Sequence, residues 1–162
     1  MLVRRDTLER AGGIARIRGE LIDDCSLAAL MRVAGGRVWL GLSPGTQSIR
    51  PYSGFAEIGR MISRSAFTQL RYSFWRLLAT ILGLLLTYVA PPALALSSSP
   101  WGMGAWTMMT IAYVPALRFY GVSLFWAPLL PVIALFYLGA TVHSAISHWR
   151  GRGGLWKGRT LH

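Results

Sequence analysis

From Leu77 through Leu117 the chain contains no Asp, Glu, Lys or Arg, and the same holds from Phe119 through Trp149. A charge at the centre of a bilayer costs about 2.5–3.5 kcal/mol on insertion scales, so uncharged apolar runs this long read as membrane spans. Three apolar segments lie within them, at about 75–97, 102–117 and 123–146, and together they define a mostly α-helical transmembrane region, 75–147, of two to three spans. The middle segment is short, contains Pro115 and ends near Arg118, so its crossing is the least secure. Pro91-Pro92 should kink or stop the first segment, because proline lacks the N–H of the helical ladder.

The charges crowd elsewhere. All six acids (Asp6, Glu9, Glu20, Asp23, Asp24, Glu57) precede residue 58, in a chain with 17 Lys and Arg and a formal charge of +11. A nucleic-acid binder presents its basic residues as a patch on a soluble surface. Here many of them flank the apolar runs, which fits phospholipid headgroups and excludes nucleic acid as the expected partner. A carrier is disfavoured because the span interiors hold none of the ionisable groups expected along a transport path. The single cysteine, Cys25, rules out an internal disulfide or a multi-cysteine zinc site.

Residues 1–54 have the composition of a piece of a soluble α/β domain. LVRRDTLERAGG gives a short helix ended by glycines, and Asp23 to Val33 a second, with Leu27, Leu30 and Met31 on one face. RVWLGL (37–42) follows as a short buried strand, and SPGTQSIRPYSG as a loop. From Phe55 to about residue 74, apolar residues recur at helical spacing with Arg60, Arg64 and Arg71 opposite, the pattern of an amphipathic helix in the membrane interface. An ordinary amphipathic helix packed on a soluble core gives the same pattern. The basic tail, 148–162, closes the chain. Positive-inside reasoning puts tail and N-terminal part on one, cytoplasmic, side, which requires an even number of crossings and makes the middle segment re-entrant.

Three constellations carry candidate chemistry. Asp24, beside Asp23 at the start of a helix, has the placement of a general base for a hydroxyl nucleophile; an acid there also simply satisfies the helix N-terminus. In FTQLRYSFW, residues Thr68, Gln69, Arg71 and Tyr72 gather polar and aromatic groups where amphipathic helix meets span. Arg71 there suits a diphosphate leaving group, although an aromatic belt with a snorkelling arginine has the same composition. The tail repeats a unit, Trp149-Arg150-Gly151-Arg152 and Trp156-Lys157-Gly158-Arg159, suited to headgroup phosphates. His143, His148 and His162 form no recognisable motif, and Asp-x-Asp occurs nowhere in the chain.

In their order, LIDDCSLA, GGRVWLGL, AFTQLRYS and HWRGRGGLWKGR resemble segments of the C-terminal half of membrane-bound family-2 glycosyltransferases, with closest likeness to the hopene-associated enzymes of bacterial hopanoid biosynthesis. The resemblance covers essentially the whole chain. It implies that residues 1–54 are the α/β remnant of a GT-A-like catalytic domain at the cytoplasmic face of a bacterial inner membrane. IDDCSL matches the family's Thr-Glu-Asp-x-x-Leu element, which makes Asp24 the base and Asp23 its acidic neighbour. TQLRY matches Gln-x-x-Arg-Trp, with Arg71 conserved in type but Thr68 and Tyr72 in the glutamine and tryptophan positions. The implied partners are a lipid acceptor, membrane lipids and a nucleotide sugar. The nucleotide sugar, with its Mg or Mn ion, would be held by an Asp-x-Asp half that these residues lack, so Met1 reads as an internal methionine of a truncated or split enzyme, inactive alone, whose chain by itself binds no metal. The competing reading is a small non-catalytic membrane anchor or subunit.

Overall fold

The computed structural model describes residues 1–151 except 47, 48, 50 and 51, together with the backbone of Leu155–Trp156 and Arg159–Thr160. Helix dominates it. α1 (Arg5–Arg10) and α2 (Asp23–Val33), with a 3-10 turn at Ile14–Ile17 between them, form the N-terminal part. α1 is laced by exposed ion pairs, Arg4 and Arg10 with Asp6 and Arg5 with Glu9. Desolvation is the largest single influence on Asp6 and acts to raise its pKa. The Thr7 amide and the charges of Arg4 and Arg10 outweigh it, and its carboxyl lies below the ordinary range.

The α/β expectation fails here. Residues 37–42 form no strand, and the only ladder among the described residues pairs Leu155–Trp156 with Arg159–Thr160. Trp39 and Leu40 are 86% and 96% exposed, and Val38 and Leu42 are exposed as well. The physical reason is pairing: an extended segment becomes a strand only when a neighbour takes its N–H and C=O groups. No described segment does so. The N-terminal part is therefore two helices and an extended strap, not a GT-A-like α/β remnant.

The remainder is a helical bundle: α3 (Phe55–Gln69), α4 (Phe74–Leu84), a π-helical turn (Leu85–Val89), α5 (Ala90–Leu96), α6 (Pro100–Phe119), a 3-10 turn (Leu124–Trp126) and α7 (Leu130–Trp149). Two stretches, Phe74–Leu96 and Leu130–Trp149, are long and apolar enough to cross a membrane. Pro91 and Pro92 do not stop the first. They occupy the opening turn of α5, and the π turn just before them widens the ladder where their missing N–H groups and rings would disrupt it. Pro115 is likewise carried inside α6.

α3 runs beside α7 in the same direction. Phe55 meets Phe136 edge-on, Gly59 faces Phe136, and Phe67 reaches Ser144, His148 and Trp149. Small residues on α7, Ala140, Ser144 and Ala145, are buried, which lets the helices approach closely. α4 returns in the opposite direction, with Phe74 near Trp149 and Leu77 in a core with Phe67 and Ala145. Phe67 is 1% exposed and Ala145 0%. The apolar flank of α3, whose periodicity suggested contact with lipid, is the flank α7 occupies.

Candidate functional site

The acid pair opens α2. Ile22 holds the N-cap position without a side-chain bond, and both acids lie in the first turn. Asp23 Oδ1 accepts the Asp24 N–H at 3.0 Å, and Asp24 Oδ1 accepts the Cys25 N–H at 2.8 Å. Each carboxylate thus satisfies one of the amides a helix start leaves without partners, and gains from the positive end of the dipole. Both remain exposed. The neighbouring Cys25 thiol is pushed above its ordinary pKa, first by desolvation and then by the charge and hydrogen bond of Asp24.

The second cluster is a turn with unusual backbone. At the end of α3 the Tyr72 N–H bonds the Phe67 carbonyl (3.1 Å) and the Arg71 N–H bonds the Thr68 carbonyl (2.8 Å). The same paired bonds end α2 at Gly35-Gly36, where Gly35 has φ 78. That left-handed conformation costs roughly 1–2 kcal/mol when a side chain is present, which is why glycine normally fills it. Here Arg71 and Tyr72 both adopt it, with φ 51 and 55. Such paired strain persists only where surrounding contacts over-determine it.

Those contacts are aromatic. Tyr72 stacks on His148 with centroids 4.3 Å apart and planes 18° apart, and it accepts a hydrogen bond from the Thr68 hydroxyl at 3.0 Å. Phe67 lies beneath, edge-on to Tyr72, His148 and Trp149. Its own N–H donates to Ser144 Oγ at 3.1 Å in a buried bond between α3 and α7. Ser73 then caps α4 by accepting the Arg76 N–H. Arg71, Tyr72, Trp149 and Arg150 are exposed, so a cationic, aromatic-rimmed collar surrounds this end of the bundle. Gln69 is turned away from the stack and lines a separate recess of about 390 Å³ with Arg64, Thr80 and Thr141.

Thus the turn and the first unit of the tail motif, far apart in sequence, share one site. The remainder of the tail motif, Arg152, Trp156, Lys157 and Arg159, lies outside the described residues, beyond the backbone of Trp156 and Arg159. The acid pair does not join the collar: no described hydrogen bond, ion pair or ring contact links α2 to the Arg71 turn. Sequence reasoning missed Phe67 and Ser144 as supports and found nothing in His148. No local signal distinguishes them, since their roles arise from pairing across about 80 residues.

A further cavity of about 770 Å³ opens between the start of α3, the end of α6 and the first half of α7. Its lining is aromatic and aliphatic, including Phe55, Tyr113, Leu117, Trp126, Val132 and Phe136. Among the described residues no three of His, Cys, Asp or Glu converge.

A model of glycosyl transferase family 21 matches residues 1–156, nearly the whole chain. No curated protein and no solved structure matches. The chain belongs to glycosyl transferase family 21.

Proposed function

We propose that this family 21 chain is the membrane part of an inverting transferase that passes a sugar from a nucleotide sugar to a lipid acceptor, in kinship with the hopene-associated enzymes of family 2. The observation that carries the reading is that one family match runs through both the acid-bearing α2 and the membrane-long helices. The apolar cavity beside α3, α6 and α7 supports a lipid acceptor, being of the size and lining that hold one.

Asp24, exposed and with Oδ1 committed to the Cys25 amide, takes the acceptor hydroxyl proton on Oδ2. Asp23 orients the helix start beside it. The acceptor oxygen attacks the anomeric carbon, and the bond from that carbon to the diphosphate oxygen breaks. The departing electron pair is neutralised by Arg71, for which a guanidinium is suited by its bidentate fork. Tyr72 and Thr68 line the approach, while Gln69, also proposed to bind substrate, does so from the neighbouring recess beside Arg64. Trp149, Arg150, Arg152, Trp156, Lys157 and Arg159 contact headgroups.

The donor and its divalent metal are assigned to an Asp-x-Asp element, a motif that this sequence does not contain. Phe74 and Trp149 lie together, so the first span leaves and the last returns to one end of the bundle. That supports a multi-pass protein with the α3–α4 turn and the start of the tail on one side and α6 re-entrant; the inner membrane and a cytoplasmic tail and N-terminal part are proposed from the basic charge flanking the spans.

The second reading, a non-catalytic membrane anchor or subunit, draws on the capping bonds of Asp23 and Asp24 and on the lack of a described link to Arg71. One experiment separates the two: Asp24→Asn in the transferase completed with an Asp-x-Asp half. Loss of sugar transfer with normal membrane insertion is expected; unchanged transfer sinks the base assignment.

A further inference from the structure

The Arg71–Tyr72 turn needs a clamp, and the last turn of α7 is the element placed to provide it. Two consecutive residues with side chains hold left-handed backbone, where α2 uses glycine. Their hydrogen bonds alone do not favour that choice, since the glycine-ended helix makes the same pair. What distinguishes this turn is the near-parallel stack of Tyr72 on His148, backed by Phe67 and Trp149.

We infer that His148 is a positioning residue: its ring, stacked on Tyr72, holds the turn in its left-handed conformation and so presents the Arg71 guanidinium to a diphosphate. The assignment rests on the reading of Arg71 given above, but the clamp itself stands on the geometry. Three features converge on it. The stack is the closest ring pair at this end of the bundle, 4.3 Å against 5.4–6.5 Å for the other rings around Phe67 and Trp149. The buried Phe67 meets both rings edge-on from beneath, at 5.7 Å from Tyr72 and 5.4 Å from His148, and so backs the stacked pair. The Thr68 hydroxyl, finally, fixes the opposite end of the Tyr72 ring, leaving the stack as the contact that sets its tilt. The adjoining Trp149 meets Phe67 and Phe74, the residues on either side of the turn, which brings the start of the tail motif beside it.

The test uses the full chain in phosphatidylcholine nanodiscs with fluorotyrosine incorporated, the Tyr72 resonance being assigned by Tyr72→Phe. Pyrophosphate binding is measured by calorimetry. His148→Ala should shift and broaden the Tyr72 fluorine line and weaken pyrophosphate binding about tenfold, the scale of releasing one strained residue. His148→Phe, which keeps a stacking ring and no imidazole nitrogen, should restore both to within about twofold. An unmoved Tyr72 line in His148→Ala overturns the clamp, and so does failure of His148→Phe to restore it. If wild type and Arg71→Gln bind pyrophosphate equally, or neither binds, the diphosphate role of Arg71 is refuted, while the fluorine line still decides whether His148 holds the turn.

Discussion

Gly102 and Gly104 lie two residues apart near the start of α6, yet the same methyl group should act on them with opposite sign. A Cβ at Gly102 would lie 2.5 Å from Leu94 Cβ and 2.6 Å from the Leu94 carbonyl carbon, and against the Ala95 nitrogen. Carbon atoms rest about 3.5–4.0 Å apart, so α5 and α6 would have to separate by on the order of 1 Å. Two of those obstacles are backbone atoms, which no rotamer change removes. Overpacking of this kind costs about 1–3 kcal/mol, while replacing glycine by alanine in a helix returns up to about 1 kcal/mol. Gly102→Ala should therefore destabilise by about 1–2 kcal/mol. A Cβ at Gly104 meets nothing within 4 Å. Gly104→Ala should be neutral or stabilising by up to about 1 kcal/mol. Unfolding in mixed dodecyl-sulfate micelles, followed by circular dichroism, measures both, and hydrogen exchange should show the loss confined to Leu94 through Trp106. Gly102→Ala as stable as Gly104→Ala would refute the close packing of the α5–α6 hairpin.

Ser144→Val removes the acceptor of the Phe67 N–H and adds bulk where α3 and α7 touch; a loss of about 1–2 kcal/mol is expected in the same assay, with Ser144→Ala costing less. Arg71→Gly should relieve left-handed strain and stabilise by about 1 kcal/mol, and on the proposed role of Arg71 it should also abolish sugar transfer; lower stability would contradict the strain argument. At Cys25 the sign follows from the charge beside it. Asp24 raises the thiol pKa, so the thiol stays protonated to higher pH and little thiolate is present near neutrality. Asp24→Asn leaves the desolvation but removes the charge, lowers that pKa and should speed iodoacetamide alkylation below pH 9, the gain shrinking as pH rises through the wild-type pKa; a rate equal to or below wild type would remove Asp24 as a cause.

Where structure depends on neighbours in sequence, the chain was readable. α2 begins at Asp23 and ends at Val33, and α3 begins at Phe55, because acids at a helix start, glycines past a helix end and apolar spacing are all local. RVWLGL was misread for the complementary reason. A continuous apolar run has no period to betray its partner, and strand formation depends on a neighbour that the sequence does not name. Of the kink or stop expected at the proline pair the stop does not occur, since the π turn that absorbs the prolines is a property of the whole ladder. At the site, Arg71 and Tyr72 were legible as chemistry, whereas their left-handed backbone was not: nothing in TQLRYS replaces the glycine that such a turn normally uses. That departure from the local rule is itself informative, because natural sequences break local preferences mainly where another constraint prevails.

The two halves of the candidate site also differ in how they are held, and this bears on the order in which they act. Among the described residues Asp23 and Asp24 are held by amides of their own helix turn, on a short helical unit whose strap carries the exposed Trp39 and Leu40. Arg71 is held by contacts reaching from α3 to α7, around a residue that is 1% exposed. If Asp24 is the proposed base, approach to an acceptor hydroxyl tolerates a mount held by few contacts. A cation that must meet a leaving group as charge develops gains from a rigid one, since reorganisation at the moment of reaction then costs little. On the proposed reading the helical bundle contributes more than an anchor: by bringing His148 against Tyr72, with Trp149 against Phe67 and Phe74, it would provide the stiff half of the site, to which the acid helix would have to be brought.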